Sequence, residues 1–276
     1  MSLTITSTVE LSNGVKMPLL GFGTFKITDE RQVVESVLTA LEVGYRLIDT
    51  ASFYDNEAAV GRAIRESGIP RDQLFVTTKC WNDEQGYPDA RDAFERSCER
   101  LDIGVIDLYL IHWPLASKHA GTWRAFQELY AEGRMRAIGV SNFMPEHLEQ
   151  LAEVAEIPPT VDQVEFHPRM QVPELVEHCQ RHGIALQAWA PLMRGAIGGE
   201  AEIARIAAAH DRTPAQVTLR WLLQRGIATI PKSVHRERII ENAAIFDFEL
   251  TAEECARIDG LDTGVRTGRH PDSWGS

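Results

Sequence analysis

The chain has 276 residues, 44% of them hydrophobic, and its 28 basic and 40 acidic side chains leave a net charge of −12. That surplus of acid excludes broad nucleic-acid binding and adhesion to anionic membranes, while leaving room for a local basic pocket. No apolar run near the N-terminus resembles a signal peptide or reaches membrane-spanning length, so a cytoplasmic globule forming a single α/β domain over residues 1–276 is expected.

The first expected element is a hairpin. Thr4 to Val9 and Val15 to Met17 flank Ser12-Asn13-Gly14, and Asn-Gly between extended segments is a strong hairpin signal. Strands are then expected at 18–21, 45–49, 74–78, 106–111, 136–140, 161–166, 184–189 and 227–230, each followed by a helix-compatible segment. Val33, Val34, Val37, Leu38 and Leu41 share one helical face, and Phe94, Cys98 and Leu101 share another. Such alternation predicts a parallel sheet with crossover helices, and eight strands close a (β/α)8 TIM barrel with the hairpin plugging its bottom. Two helical stretches, near 200–210 and 214–225, lie between the seventh and eighth strands where one suffices, so the first is an inserted helix. Thr251-Ala252-Glu253-Glu254 offers an N-cap and an acidic first turn for a second extra helix. The tail, 261–276, either frays or folds over the barrel mouth and presents Trp274 to a ligand.

Three strand ends carry chemistry. Tyr45-Arg46-Leu47-Ile48 runs into Asp49 with Tyr54 five residues later, Leu74 to Thr78 stops at Lys79, and Ile106 to Ile111 stops at His112. Polar groups just past the C-terminal ends of barrel strands are where such folds build active sites. Singly, each has an ordinary role: Asp49 capping a turn, Tyr54 packing at a helix start, Lys79 in solvent, His112 on a backbone carbonyl. Together they suit carbonyl reduction, in which a hydride goes to carbon and a proton to oxygen. Tyr54 is the expected proton donor, Lys79 is expected to lower its pKa from about 10, Asp49 to hold the amine charged, and His112 to donate to the substrate oxygen.

The four cysteines, Cys80, Cys98, Cys179 and Cys255, form no zinc-binding spacing and read as reduced thiols. Cys80 follows Lys79, whose ammonium is a reason to look for a lowered thiol pKa, although a non-catalytic thiol is the simpler reading. Gly21-Phe22-Gly23-Thr24 is not GxGxxG and no Walker loop occurs, so neither a Rossmann unit nor a P-loop is supported. Phosphate is instead expected at Ile230-Pro231-Lys232-Ser233-Val234-His235-Arg236-Glu237-Arg238, a cationic loop entering a helix after the eighth strand.

Over almost its full length the chain resembles the aldo-keto reductases. The family signature GxRxxDTAxxY stands here as Gly44 through Tyr54, and its catalytic tetrad maps onto Asp49, Tyr54, Lys79 and His112 without substitution. Gly21 to Lys26, Lys79-Cys80-Trp81-Asn82, Arg236-Glu237-Arg238 and Trp189, where many relatives have Tyr, narrow the likeness to the bacterial 2,5-diketo-D-gluconate reductases. The resemblance implies a (β/α)8 barrel, NADPH as cofactor, a small carbonyl substrate, no metal and a monomer. It implies that Ser141, Asn142 and Gln163 hold the carboxamide and that Trp189, followed by Ala190, Pro191 and Leu192, stacks on the nicotinamide. Lys232, Ser233 and Arg238 would face the 2′-phosphate, Glu241 and Asn242 the adenine, and Val234, Gly23 and Thr24 the cofactor, the last two beside Asp49. His235 departs from the neutral residue of some relatives. Phe22, Trp81 and Trp113 would line the substrate pocket with Tyr54 and His112. The short segment 113–122 leaves that pocket open, which favours small aldehydes, α-dicarbonyls or keto-sugars. Since some relatives are channel subunits or lens proteins, a cofactor-binding regulatory or structural protein is the alternative, against which the intact tetrad argues. A metal-dependent barrel hydrolase is disfavoured because the strand ends lack clustered His and carboxylate ligands.

Overall fold

Residues 3–274 are described by the structure, a computed structural model, with the Trp274 side chain outside the described residues; its expected presentation to a ligand falls there. The hairpin is β1 (Thr8–Glu10) and β2 (Lys16–Pro18), paired antiparallel with Thr8 opposite Pro18. Gly14 adopts φ +81° in its turn, a conformation that glycine takes without a Cβ clash. Eight parallel strands follow: β3 (Gly21–Gly23), β4 (Leu47–Asp49), β5 (Phe75–Cys80), β6 (Ile106–Ile111), β7 (Met135–Ser141), β8 (Val161–Glu165), β9 (Ala185–Trp189) and β10 (Ala228–Thr229). They pair in chain order, and a parallel bridge from Leu20 to Thr229 joins the first to the last, closing the barrel.

The crossover helices are α1 (Glu30–Val43), α2 (Glu57–Glu66), α3 (Asp89–Leu101), α4 (His119–Ala131), α5 (Pro145–Ala152) and α6 (Pro173–His182). After β9 come α7 (Ala201–Ala209) and α8 (Pro214–Gln224), then α9 (Arg236–Ala243) after β10 and α10 (Ala252–Asp259). Thus α7 and α10 are the two additions to the eightfold repeat. In α1, Val33, Val34, Val37, Ala40 and Leu41 form the buried stripe. Asp29 caps its first turn by accepting the Gln32 N–H at 2.8 Å, and Gly44 ends it at φ +114°. This is the role of the signature's first glycine: the chain must turn left-handed to enter β4. Strands β5 and β6 are buried at every position, as expected where helices cover one face and the barrel interior the other.

Two expectations shift. The first barrel strand lies at Gly21–Gly23, because Pro18, which has no N–H, is taken into the hairpin. Tyr45 also lies outside β4; its ring is buried and its hydroxyl donates to the Ile239 carbonyl at 3.2 Å, tying the strand's approach to α9. The hairpin does enter the barrel: Met17 is fully buried with its sulfur 3.8 Å from Gln187 Nε2 on β9. Burying such a side chain stabilises by about 1.5–3 kcal/mol. No helix among the described residues is long and apolar enough to cross a membrane.

Candidate active site

Asp49, Lys79 and His112 stand at or just past the C-terminal ends of β4, β5 and β6, and Tyr54 ends the short 3-10 turn Ser52–Tyr54 after β4. All four converge. Lys79 Nζ donates to Asp49 Oδ1 at 2.7 Å, to the Thr50 carbonyl at 2.8 Å and to Tyr54 Oη at 3.4 Å. The His112 ring meets that of Tyr54 edge-on, with centroids 5.7 Å apart. Lys79 and Asp49 are buried, so each charge depends on the other: burial pushes the carboxyl up and the ammonium down, and their contact opposes both shifts.

The expected lowering of the Tyr54 pKa is not what this arrangement gives. Burial, then the Asp49 charge, hold the phenol well above its usual value. The physical reason is that Lys79 reaches Tyr54 already paired with Asp49, so the pair presents little net positive field. Tyr54 is therefore a protonated acid throughout the neutral range. His112 is held well below the usual imidazole value by burial and then by Lys79, so it is neutral. Its Nδ1 is buried without a hydrogen-bond partner among the described residues, which leaves Nε2 as the nitrogen to meet a substrate.

Sequence reasoning missed the groups that hold these four in place. Asn56 accepts the Thr50 hydroxyl at 2.6 Å and donates to the Thr24 and Ile27 carbonyls, clamping the β3 loop onto the Tyr54 turn. Glu57 is buried, accepting from Thr78 and from Arg100, both at 2.6 Å. Ser52 donates to Glu84 at 2.6 Å and lies 3.0 Å from the Lys79 carbonyl. The Asn-Glu pair directly after Tyr54-Asp55 was the available signal, since polar side chains at a helix start are candidates for exactly such capping and bracing roles only when their burial is known.

Beneath the tetrad a polar string crosses the barrel. Gln163 Nε2 donates to Asp49 Oδ2 and to Gln187 Oε1, both at 2.7 Å. Ser141 donates to the Gln163 carbonyl at 2.7 Å, and Asn142 Nδ2 to the His112 carbonyl at 2.9 Å. Asn142, in the left-handed region at φ +65°, also accepts the Trp189 indole N–H at 2.8 Å. Ser141, Asn142, Gln163 and Trp189 thus form one connected group at the ends of β7, β8 and β9. Ala190 follows at φ +49°, so that Ala190-Pro191-Leu192 turns sharply off the strand.

The pocket wall differs from the expected one. Phe22 is 1% exposed and packs edge-on against Tyr45, so it belongs to the core. The aromatic three residues on, Phe25, lies past the end of β3 in the turn that follows, and it is the one that reaches the mouth, 4.9 Å from the Tyr54 ring. Trp81 stacks on Phe53 at 3.7 Å and faces His112 edge-on at 4.9 Å. Phe53 is half exposed and was not singled out from the sequence. Trp113 is 8% exposed, with its carbonyl accepting from Gln85 at 2.9 Å. Cys80 points away from Lys79 into the interior, where burial pushes its thiol up rather than down.

The cationic loop after β10 leads into α9. Ser233 Oγ accepts the His235 N–H at 3.1 Å, shaping the entry to the helix. Lys232 is lowered by burial and then by the like charge of Lys26 from the β3 loop. Among the described residues neither Lys232 nor Arg238 forms an ion pair with a carboxylate, in a chain of net charge −12. Cations gathered without a counter-ion suit an anionic ligand. Gly23 adjoins this loop, its N–H donating to the Pro231 carbonyl at 3.1 Å, and Thr24 donates to the Asp49 carbonyl at 2.9 Å. On α9, Asn242 is buried and Glu241 accepts the Thr213 hydroxyl at 2.7 Å. The tail runs along the rim: Thr267 and Gly268 meet Glu165 at the end of β8, and Asp272 lies 3.3 Å from His147 Nε2 on α5.

Comparison with known proteins places this geometry among relatives. A family profile described as the aldo/keto reductase family matches residues 19–263. The chain is 51% identical over 272 residues, 99% of each protein, to a glyoxal reductase of Bacillus subtilis (strain 168). Among solved structures it is similar to an aldo-keto reductase enzyme from a Medee basin deep-sea metagenome library, with 45% identity, a TM-score of 0.94, and 96% and 98% of the two chains covered. It is also similar to a Bombyx mori aldo-keto reductase solved in complex with NADP, at 33% identity and a TM-score of 0.91 over 99% and 97% of the chains.

Proposed function

The chain belongs to the aldo/keto reductase family, and from that premise we propose that it reduces α-dicarbonyls and small aldehydes to alcohols with NADPH, using Tyr54 as the general acid. Membership makes it an NADP(H)-dependent oxidoreductase. The observation that carries the finer reading is the contact string Asp49–Lys79–Tyr54, at 2.7 and 3.4 Å, beside a neutral His112 at the same mouth. The likeness to a glyoxal reductase favours α-dicarbonyls, and the short segment 113–122 keeps keto-sugars such as 2,5-diketo-D-gluconate within the proposed range.

The residues present fit the cofactor. Lys232, Ser233 and Arg238 at the start of α9 would hold the 2′-phosphate, with Val234 beside them and Glu241 and Asn242 toward the adenine. Gly23, Thr24 and the Ala190-Pro191-Leu192 turn would flank its path. Gln163 Oε1 and Asn142 Oδ1 offer acceptors to a carboxamide NH2, with Ser141 bracing them, and Trp189 offers a ring face. NADPH, when bound, supplies the hydride.

The chain's own residues do the rest. His112, as the Nε2–H tautomer, donates a hydrogen bond to the carbonyl oxygen and polarises it. Tyr54 Oη gives its proton to that oxygen as negative charge develops there. The transfer is favourable even from an elevated phenol pKa, because an alkoxide is a stronger base than a phenolate. The phenolate left behind faces Lys79 Nζ and regains its proton from solvent. Asp49 keeps the ammonium aimed at Tyr54 and takes no proton itself.

NADPH absorbance followed with methylglyoxal, phenylglyoxal, simple aldehydes and 2,5-diketogluconate tests this reading. Turnover that depends on Tyr54 supports it; tight NADPH binding without turnover on the whole panel would put the regulatory alternative ahead. Arg238→Ala is expected to weaken NADPH by roughly 10–100-fold and NADH hardly at all, the effect of losing a hydrogen bond to a charged group. Equal losses in fluorescence-titrated Kd for both cofactors would refute the 2′-phosphate role. Phe53 forms the exposed face of the Phe53–Trp81 stack. Phe53→Ala is expected to lower kcat/KM for phenylglyoxal about 2–10-fold more than for methylglyoxal, the worth of one aromatic pair. An unchanged ratio of the two would remove Phe53 from the pocket.

A further inference from the structure

Glu165 ends β8 opposite its register partner Trp189 on β9, and its side chain is completely buried. A carboxylate this deep must be met by donors. The tail provides them: Oε1 accepts the Thr267 N–H at 2.5 Å, the Thr267 hydroxyl at 2.6 Å and the Gly268 N–H at 3.0 Å. The Arg266 guanidinium stands 3.9 Å from Oε2, and His167 Nε2 lies 3.2 Å from Oε1. Around this clasp residues 263–265 are exposed, while Arg266, Thr267 and Gly268 are partly covered.

Gly268 has no room for a side chain. A Cβ there would come within 2.4 Å of Trp189 Cη2 and 3.1 Å of Glu165 Oε2. The tail backbone therefore presses on one edge of the Trp189 ring, while the indole N–H at another edge is held by Asn142 Oδ1. A ring fixed at two edges keeps its face in one plane.

We propose that Glu165 is a positioning residue: by fastening Arg266 to Gly268 across the rim, it fixes Trp189 and so sets how firmly the nicotinamide end of the cofactor is held. This rests on the reading above in which Trp189 stacks on the nicotinamide. The carboxylate is required rather than the side-chain shape. One oxygen accepts three donors, and the NH2 of an isosteric amide would repel either those donors or the Arg266 guanidinium.

Full-length Glu165→Gln, Gly268→Ala, Thr267→Ala and Thr267→Ser test the proposal. The measurements are hydrogen exchange of residues 263–274 without cofactor, NADPH affinity by protein-fluorescence quenching, and kcat and KM, with the melting temperature as a check on the barrel. Glu165→Gln and Gly268→Ala are expected to speed exchange of the tail and weaken NADPH on the order of tenfold, about one charge-assisted hydrogen bond. Thr267→Ala should fall between these and the native protein, and Thr267→Ser, which keeps the hydroxyl, should be close to native. Gly268→Ala leaves the carboxylate in place and serves where Glu165→Gln does not fold. Faster tail exchange with unchanged NADPH affinity and kcat overturns the positioning role, and unchanged exchange overturns the clasp itself. Trp189→Ala separates this from the stacking reading. If it leaves NADPH affinity intact, the stacking reading fails and this proposal with it; if it weakens NADPH while the Glu165 and Gly268 variants do not, only the clasp proposal fails.

Discussion

Tyr54→Phe is expected to lower kcat by roughly 10²–10⁴-fold while leaving NADPH affinity within a factor of a few. The substitution removes one oxygen and keeps the ring that packs at 4.9 Å from Phe25 and 5.7 Å from His112, so the walls of the mouth stay in place. What is lost is the one hydroxyl within hydrogen-bond distance of the buried ammonium of Lys79 among the described residues. His112 cannot replace it, because burial and Lys79 keep the imidazole neutral and its remaining proton is a poor acid. Single-turnover rates with pre-bound NADPH and methylglyoxal would measure the chemical step directly. A variant within tenfold of native in that assay would sink the assignment of Tyr54 as the acid. Since the native phenol is pushed upward, kcat is also expected to show no loss from Tyr54 ionisation between pH 6 and 9; a falling limb in that range that vanishes in Tyr54→Phe would contradict the upward direction.

Lys79→Met should damage both stability and turnover. Removing one partner of a buried ion pair typically costs about 3–5 kcal/mol, because the other charge is left uncompensated. Here the remaining charge is Asp49, 2% exposed, with Gln163 Nε2 at 2.7 Å as its surviving partner. In the variant the carboxyl is pushed above its unfolded value, so the folded state binds the extra proton. Its stability is therefore greatest at low pH and is lost as pH rises through the elevated folded pKa. The deficit relative to native, read from urea unfolding, should be larger at pH 8 than at pH 5. The double variant Asp49→Asn/Lys79→Met removes both charges and is expected to regain much of the stability but none of the rate. A double variant no more stable than Lys79→Met alone would show that the pair is not the source of the loss.

The hydrophobic period and the polar strand ends make the barrel, and the meeting of four polar groups at its mouth, legible in the sequence. Strands that are apolar on both faces and helices with one apolar stripe have few ways to be buried together, and alternating eight times they close. The boundaries were less legible where two elements compete for the same residues, as at Pro18, whose missing N–H assigns it to the hairpin rather than to β3. The pocket wall is not legible at Phe22, because identity says that a residue is aromatic, while its side of the strand decides whether it faces Tyr45 or the mouth. Phe53 and Glu165 carry no local signal, and Asn56 and Glu57 carry only their place directly after Tyr54-Asp55. Their roles depend on partners remote in the chain, such as Thr24 for Asn56, Thr78 for Glu57 and Thr267 for Glu165.

By itself the sequence determined the fold class, the four groups that meet at the strand ends, and the absence of a glycine-rich phosphate motif, because each follows from local period or from residue type at a known place in a repeat. Only the tertiary structure decided which charges are buried together and which way each side chain faces. It placed Lys79 on Tyr54 already neutralised by Asp49, turned Cys80 into the interior, and laid the tail on Glu165. Those outcomes rest on distances between segments remote in sequence, and on the desolvation that follows from them, neither of which composition or spacing encodes.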